Sequence, residues 1–392
     1  MIKLIKSTFH REEETKASLI KFIGPAKQLS FGPECKKFEI NFSKYQGRKY
    51  CVFFNSGSSA NLALIQSLLN LGRLQKKDLI GFSALTWATN VMPLIQLDLK
   101  PIPIDIELET LNISSKNLNK ILEKYPLKAL FITNLLGFCD DLEKIKKICD
   151  SKKIILLEDN CEALGTVYKG KKLGNFGLAS TFSFYVGHHM STIEGGMVCT
   201  DDAELNVMLR IVRNHGLDRH LSLGDQEALR KKHNLDDFYA RYTFYTHGYN
   251  LRPTEITGFL GLNQLNYIND ILNNRNANFL KFASAVNKNY FMPIRHKHID
   301  FVSNFAFPLI CKSRSALQKC VNSFEKRNIE IRPIVSGNML YQLFMKDYFP
   351  LLERIDLPNA EKIHNLGFYF GNNPDLTEEE VQFVIDTIST VV

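Results

Sequence analysis

The chain has 392 residues, 45% of them apolar and 23% charged, which is enough to bury a large core and too apolar to stay disordered. Its formal charge of +8 comes from 49 Lys and Arg set among 41 Asp and Glu along the whole sequence, not from a basic tail or a stripe of Arg and aromatics, so no nucleic-acid partner is expected. No apolar run approaches the roughly 20 residues that span a bilayer, and His10, Arg11, Glu12, Glu13 and Glu14 charge the start too early for a signal peptide; a soluble cytoplasmic protein with no membrane association is expected.

From about residue 50 to 200, short apolar runs alternate with amphipathic stretches, the rhythm of helices packed on a largely parallel sheet. Strands are predicted over Tyr50–Asn55, Leu79–Phe82, Lys100–Ile104, Ala129–Thr133, Ile154–Glu158 and Ala179–Tyr185. Helices are predicted over Ser59–Leu71, Trp87–Leu97 and Asp141–Ser151. The predicted class is α/β, a mixed and mostly parallel sheet with helices on both faces, followed by a smaller C-terminal α/β domain. A polar stretch from Leu217 to Tyr249 reads as an irregular surface excursion, and Arg252–Tyr267 begins a long helix leading to the second domain. The expected division is residues 1–269 and 270–392. The cysteines, Cys35, Cys51, Cys139, Cys149, Cys161, Cys199, Cys311 and Cys320, stand singly, without the spacing of a metal or cluster site, so reduced thiols and no metal are expected.

Three segments carry chemistry. Asn55-Ser56-Gly57-Ser58-Ser59-Ala60-Asn61 leaves a strand and opens a helix, and small residues there let backbone N–H groups face an anion such as phosphate; a serine-capped turn explains it equally well. Leu157-Glu158-Asp159-Asn160-Cys161-Glu162 ends a strand on an aspartate that is able either to pair with a pyridinium nitrogen or to cap a helix. Ser183-Phe184-Tyr185-Val186-Gly187-His188-His189 runs into a polar loop that closes on Glu194-Gly195-Gly196, with a solvated turn as the plainer reading.

Taken in order, with Phe31-Gly32-Pro33, Lys49-Tyr50, Trp87, Gly248-Tyr249-Asn250-Leu251-Arg252-Pro253 and Arg332-Pro333, these segments make the chain resemble the DegT/DnrJ/EryC/StrS sugar aminotransferases, pyridoxal-phosphate (PLP) enzymes of fold type I. The resemblance covers nearly the whole chain. It implies that Gly57, Ser58 and Ser183 hold the cofactor phosphate, that Trp87 stacks on the pyridine ring and that Asp159 pairs with its nitrogen. It also implies a homodimer, in which Asn250 reaches the phosphate in the neighbouring subunit.

One position departs from the family. The lysine that anchors the cofactor lies five residues after the phosphate-binding serine and six before the Glu of the Glu-Gly-Gly turn; here that residue is His188, and no lysine lies between Lys172 and Lys231. An imidazole cannot make the lysine's covalent link, but with an unperturbed pKa near ~6.5 it moves protons readily. His188 followed by His189 resembles a minority branch, the sugar 3-dehydratases. With only the scattered Cys199, Cys311 and Cys320 after His188, the cluster-free, GDP-4-keto-6-deoxymannose-type enzymes fit better than the iron–sulfur-dependent ones. Glu162 in place of the family's usual Gln or His, Arg213-Asn214-His215-Gly216 and Arg332-Pro333-Ile334 support this branch.

The activity implied is PLP/pyridoxamine-phosphate-dependent removal of the C3 hydroxyl from a nucleotide-linked 4-keto-6-deoxyhexose in deoxysugar biosynthesis, of the kind that supplies O-antigen and lipopolysaccharide. L-Glutamate is the amino donor, ammonia is released and His188 is catalytic. Glu162 is expected on the phenolic side of the cofactor as a carboxylate. His215, Arg219 and Arg332 are candidates for substrate contacts, and His189 either orients His188 or fills the turn. The competing readings are an aminotransferase that leaves the nitrogen on the sugar, and an inactive PLP-binding homologue.

Overall fold

The computed structural model describes residues 1–346, 348 and 355–390. The strands are β1 (Tyr50–Phe54), β2 (Leu79–Ser83), β3 (Lys100–Ile104), β4 (Ala129–Thr133), β5 (Ile155–Asp159), β6 (Val167–Tyr168), β7 (Lys171–Lys172), β8 (Ala179–Ser183), β9 (Gly196–Thr200), β10 (Ala306–Ile310), β11 (Ile331–Pro333) and β12 (Gly367–Gly371). Seven of them form one sheet in the order β1-β9-β8-β5-β4-β2-β3, in which only β9 runs against its neighbours. β10, β12 and β11 form a small antiparallel sheet, and β6 pairs with β7.

Every residue of β4, β8 and β9 is buried, which explains the apolar run of β4; β8 is buried too, although Ser180, Thr181 and Ser183 make it half polar. Where both neighbours of a strand residue are large, the alternation of side chains divides them between two cores. Val52 and Phe54 face the helices Gly57–Asn70 and Ala203–Arg213, whereas Cys51 and Phe53 face an aromatic layer with Phe38, Phe42, Phe182 and Phe184. A third core runs from Ile102, Ile104, Leu130 and Ile132 of the large sheet into Phe307, Phe368 and Phe370 of the small one.

Three elements differ from the sequence expectation. The stretch 217–249 is not irregular: it carries helices Leu223–Lys232 and Asp237–Ala240, N-capped by Ser222 and Asp236. Leu223–Lys232 has no buried residue, so there was no apolar stripe to detect. Trp87 stays extended at φ −79°, ψ 148° and precedes a short turn and the helix Met92–Gln96, so it stands outside the helix expected to include it. The helix expected from Arg252 is two: Glu255–Leu265, opened by the Thr254 capping box, and Ile268–Ala285. We propose residues 1–269 and 270–392 as the two domains; Ile268–Ala285 then bridges them, with Ile268 and Leu272 in the aromatic layer and Phe279 and Phe282 in the third core. Among the described residues no helix is long and apolar enough to cross a membrane.

Candidate active site

In a parallel sheet, ligands gather beyond the carboxyl ends of the strands. The ends of β1, β2, β4, β5 and β8 deliver Asn55, Trp87, Leu136, Asp159 and Ser183 to one side of the molecule, and the antiparallel β9 starts there at Gly196. Register fixes their alignment: Thr133 pairs with Asp159, Asp159 with Thr181, and Gly196 with both Ser183 and Phe54.

The three chemical segments are packed against one another too closely for side chains. A Cβ on Gly57 would lie 2.7 Å from Ser183 Cβ and 3.2 Å from Cys161 Sγ; one on Gly196 would lie 2.2 Å from the Ser56 carbonyl oxygen. Ser56 caps the helix Gly57–Asn70 by accepting from Ser59 N at 3.0 Å. The N–H groups of Gly57 and Ser58 therefore have no partner within the helix and lie at its positive end. Ser58 is exposed, while Ser183 is buried and accepts from Tyr185 N at 3.2 Å, which leaves its O–H free to donate. Such a cradle could hold a phosphate-sized anion.

Successive residues Glu158 and Asp159 point to opposite faces and do different work. Glu158 is fully buried and accepts from the N–H groups of Gly174, Phe176 and Gly177 at 2.7–2.8 Å, so it organises a loop. Asp159, also buried, has both oxygens engaged: Oδ1 accepts from Cys161 N at 2.8 Å and Oδ2 from Asn61 Nδ2 at 3.0 Å. Trp87 is 55% exposed, the only tryptophan of the chain, and follows Thr86, whose hydroxyl meets that of Thr133 at 2.5 Å.

Glu162 was expected as a carboxylate. It is buried, accepting from Leu136 N at 2.8 Å, and burial with the nearby Asp159 charge pushes it up to about 8, so it carries a proton at neutral pH. Leu136 holds the left-handed backbone, φ 50°, that aims this N–H. His188 is half-buried: its N–H donates to Tyr185 O at 2.9 Å, and the Tyr185 and Phe305 rings stand edge-on at 5.8 and 5.3 Å. Nδ1 is buried without a partner. Desolvation, and then the charge of Arg275, push the imidazole down to about 4, which keeps it neutral at working pH. His189 is buried with neither ring nitrogen bonded, and burial holds it well below its ordinary value.

The remaining candidates lie elsewhere. His215, at φ 60°, donates its N–H to Tyr249 O at 2.8 Å, and the exposed Asn250 pairs with Asn214 and accepts from Arg252 Nε at 2.9 Å. Leu251 O accepts from Asn55 N at 3.1 Å, so this second cluster adjoins the phosphate cradle. Arg219 donates to Arg241 O at 2.6 Å and lies over the Tyr242 ring; Arg332, exposed on β11, donates to Glu330 at 2.5 Å. Both arginines are held by local partners. Sequence reasoning missed Asn61 and Arg275. Asn61 was detectable, because it follows Gly57 by four residues and so shares its helix face.

A strand-end cradle for phosphate, an exposed indole beside it and a buried, oriented carboxylate together fit PLP, and they define a vitamin B6 enzyme of fold type I. The chain belongs to the DegT/DnrJ/EryC1/StrS aminotransferase family, whose model matches residues 10–389. It is 34% identical over 373 residues to the GDP-4-keto-6-deoxy-D-mannose 3-dehydratase of Yersinia pseudotuberculosis, covering 94% of each chain. Among solved structures it is similar to the E. coli GDP-4-keto-6-deoxy-D-mannose-3-dehydratase with bound hydrated PLP, at a TM-score of 0.88 and 31% identity over 99% of both chains. A GDP-4-keto-6-deoxymannose-3-dehydratase with a trapped PLP-glutamate geminal diamine matches with the same TM-score and identity, over 99% of this chain and 100% of that one.

Proposed function

We propose that the chain removes the C3 hydroxyl from GDP-4-keto-6-deoxymannose or a closely related nucleotide-linked sugar, with PLP as cofactor and L-glutamate as amino donor. The observation that carries this reading is the neutral imidazole of His188 in a site whose phosphate cradle and Asp159 are intact. Family membership and the named relatives support it. The overall reaction balances as a reduction at C3: glutamate is oxidised to 2-oxoglutarate with release of ammonia, and the sugar gains those two electrons as C3 loses its oxygen. The product is a 4-keto-3,6-dideoxy sugar.

Each residue then has a task. Gly57, Ser58 and Ser183 hold the phosphate, since without a lysine link retention falls on such contacts. Trp87 covers one face of the ring and Asp159, oriented by Asn61, keeps the ring nitrogen protonated. When bound, the cofactor supplies an electron sink next to the sugar's C4. Glu162, as a neutral acid, donates toward the phenolic oxygen. His188, neutral and so able to accept, takes up one proton and returns one to the C3 oxygen as that departs as water. We infer a homodimer in which Asn250 serves the neighbouring subunit's phosphate site, with His215 and Arg219 as substrate contacts; Phe238, Tyr239, Tyr242 and Phe244, each more than 60% exposed, supply an apolar surface suited to a partner. Arg332 is proposed to contact the sugar nucleotide.

The test is to incubate the protein with PLP, glutamate and GDP-4-keto-6-deoxymannose, then follow ammonia and the mass of the sugar. Loss of the C3 oxygen with one ammonia per sugar is expected. A product that keeps nitrogen at C4 would make the enzyme an aminotransferase instead.

A further inference from the structure

We infer that Arg275 is a positioning residue for the proton transfer assigned above to His188: its buried guanidinium ties the His188 main chain to the small domain and places a positive charge with no paired carboxylate beside the imidazole. The inference rests on that reading of His188 and adds the group that sets it.

Arg275, in the helix Ile268–Ala285, is 4% exposed. Its donors go to carbonyl oxygens: Nη2 to His188 at 3.0 Å, Nη1 to Asn372 and, at 3.4 Å, to Phe305, while Nε is buried with no partner. Asn372 answers by donating to Arg275 O at 2.9 Å. One side chain thus joins the loop after β8 to the segments before β10 and after β12, and Phe305, whose backbone it grips, is the ring that stands edge-on to His188.

A fully buried guanidinium normally has a carboxylate beside it, because removing the charge from water is otherwise costly. Among the described residues none lies within ion-pairing distance. The acid that acts on it, Asp375, is hydrogen-bonded to His10 Nδ1 at 2.7 Å and Ser7 Oγ at 3.1 Å. No carboxylate pairs with Arg275 directly, so Asp375 offsets its charge only from a distance and the remainder acts on His188. Among the described residues, the other groups recorded against His188 and its loop carry no charge: the rings of Tyr185 and Phe305, the neutral His189, and Ile5, which approaches the adjoining Gly187. The same positive charge disfavours a second one on the imidazole, so the ring is held unprotonated, with a free lone pair but as a weaker base than a free imidazole.

Arg275→Met and Arg275→Lys separate the charge from the clamp. In the PLP-loaded enzyme, the His188 ring titration is followed by NMR and the dehydration rate by ammonia release against pH. For Arg275→Met the ring midpoint is expected to rise by about one unit or more, the acid limb of kcat to move with it, and kcat to fall at least tenfold with KM for the sugar changed less than threefold. Arg275→Lys is expected to keep the low midpoint while losing rate through the missing carbonyl contacts. A midpoint unchanged in Arg275→Met overturns the inference; should that variant fail to fold, full activity of Arg275→Lys overturns it. A shifted ring midpoint with an unshifted rate profile would overturn the positioning role, because His188 would then not carry the rate-limiting proton transfer on which it rests.

Discussion

Asn61→Leu tests how the cofactor nitrogen's partner is held. The change keeps the side chain's approximate size and removes the Nδ2 donor that meets Asp159 Oδ2 at 3.0 Å, leaving only the Cys161 N–H, at 2.8 Å on Oδ1, to orient the carboxylate. A hydrogen bond to a charged acceptor contributes roughly 1.5–3 kcal/mol, and Asp159 is only 4% exposed, so water cannot readily replace the lost donor. Losing that donor also leaves the carboxylate freer to turn away from the ring nitrogen it is proposed to meet. At about 1.4 kcal/mol per factor of ten, PLP should bind about 10- to 100-fold more weakly. The assay is absorbance titration of the apoprotein with PLP, alongside thermal unfolding without cofactor. Affinity within twofold of wild type would show that Asn61 does not hold Asp159 and would refute the role given to this pair.

Gly196→Ala places a Cβ 2.2 Å from the Ser56 carbonyl oxygen and 2.5 Å from Gly57 N, a clash with main chain that cannot rotate away, so calorimetry should find a loss of about 1–3 kcal/mol together with impaired PLP binding. Burial lowers His188 to about 4 and His220 to about 3, so on acidification the unfolded chain takes up protons first and stability falls as the pH drops from about 6.5 toward 4. At about 1.4 kcal/mol per unit, His188 alone accounts for up to ~3 kcal/mol, and His188→Asn should flatten that loss in urea titrations at pH 7 and pH 4.5. With its pKa near 8, Glu162 should tolerate Glu162→Gln at pH 7, with PLP affinity within about threefold, whereas above pH 8 the wild type should lose affinity and the variant should not.

The sheet was legible because strands such as β1 and β4 are buried and leave short apolar runs, and the close approach of the chemical segments because Gly57 and Gly196 sit at strand ends where backbone must approach backbone. Helix Leu223–Lys232 left no apolar stripe; its only local signals were the Ser222 cap and the basic last turn. Arg275 gave no signal at all. Its acceptors are carbonyl oxygens of residues 87, 30 and 97 positions away, which have no side-chain identity to read. The protonated state of Glu162 was equally hidden, since it follows from burial and from the single N–H of Leu136, held by a left-handed turn.

The most direct test is single-turnover dehydration by the pyridoxamine-phosphate form of wild type and His188→Asn, with sugar product followed by mass spectrometry and cofactor affinity measured on the same samples. The asparagine variant should bind the cofactor within a few-fold of wild type and form at least a thousandfold less 3-deoxy product. Turnover at the wild-type rate would contradict the assignment of proton transfer to this imidazole.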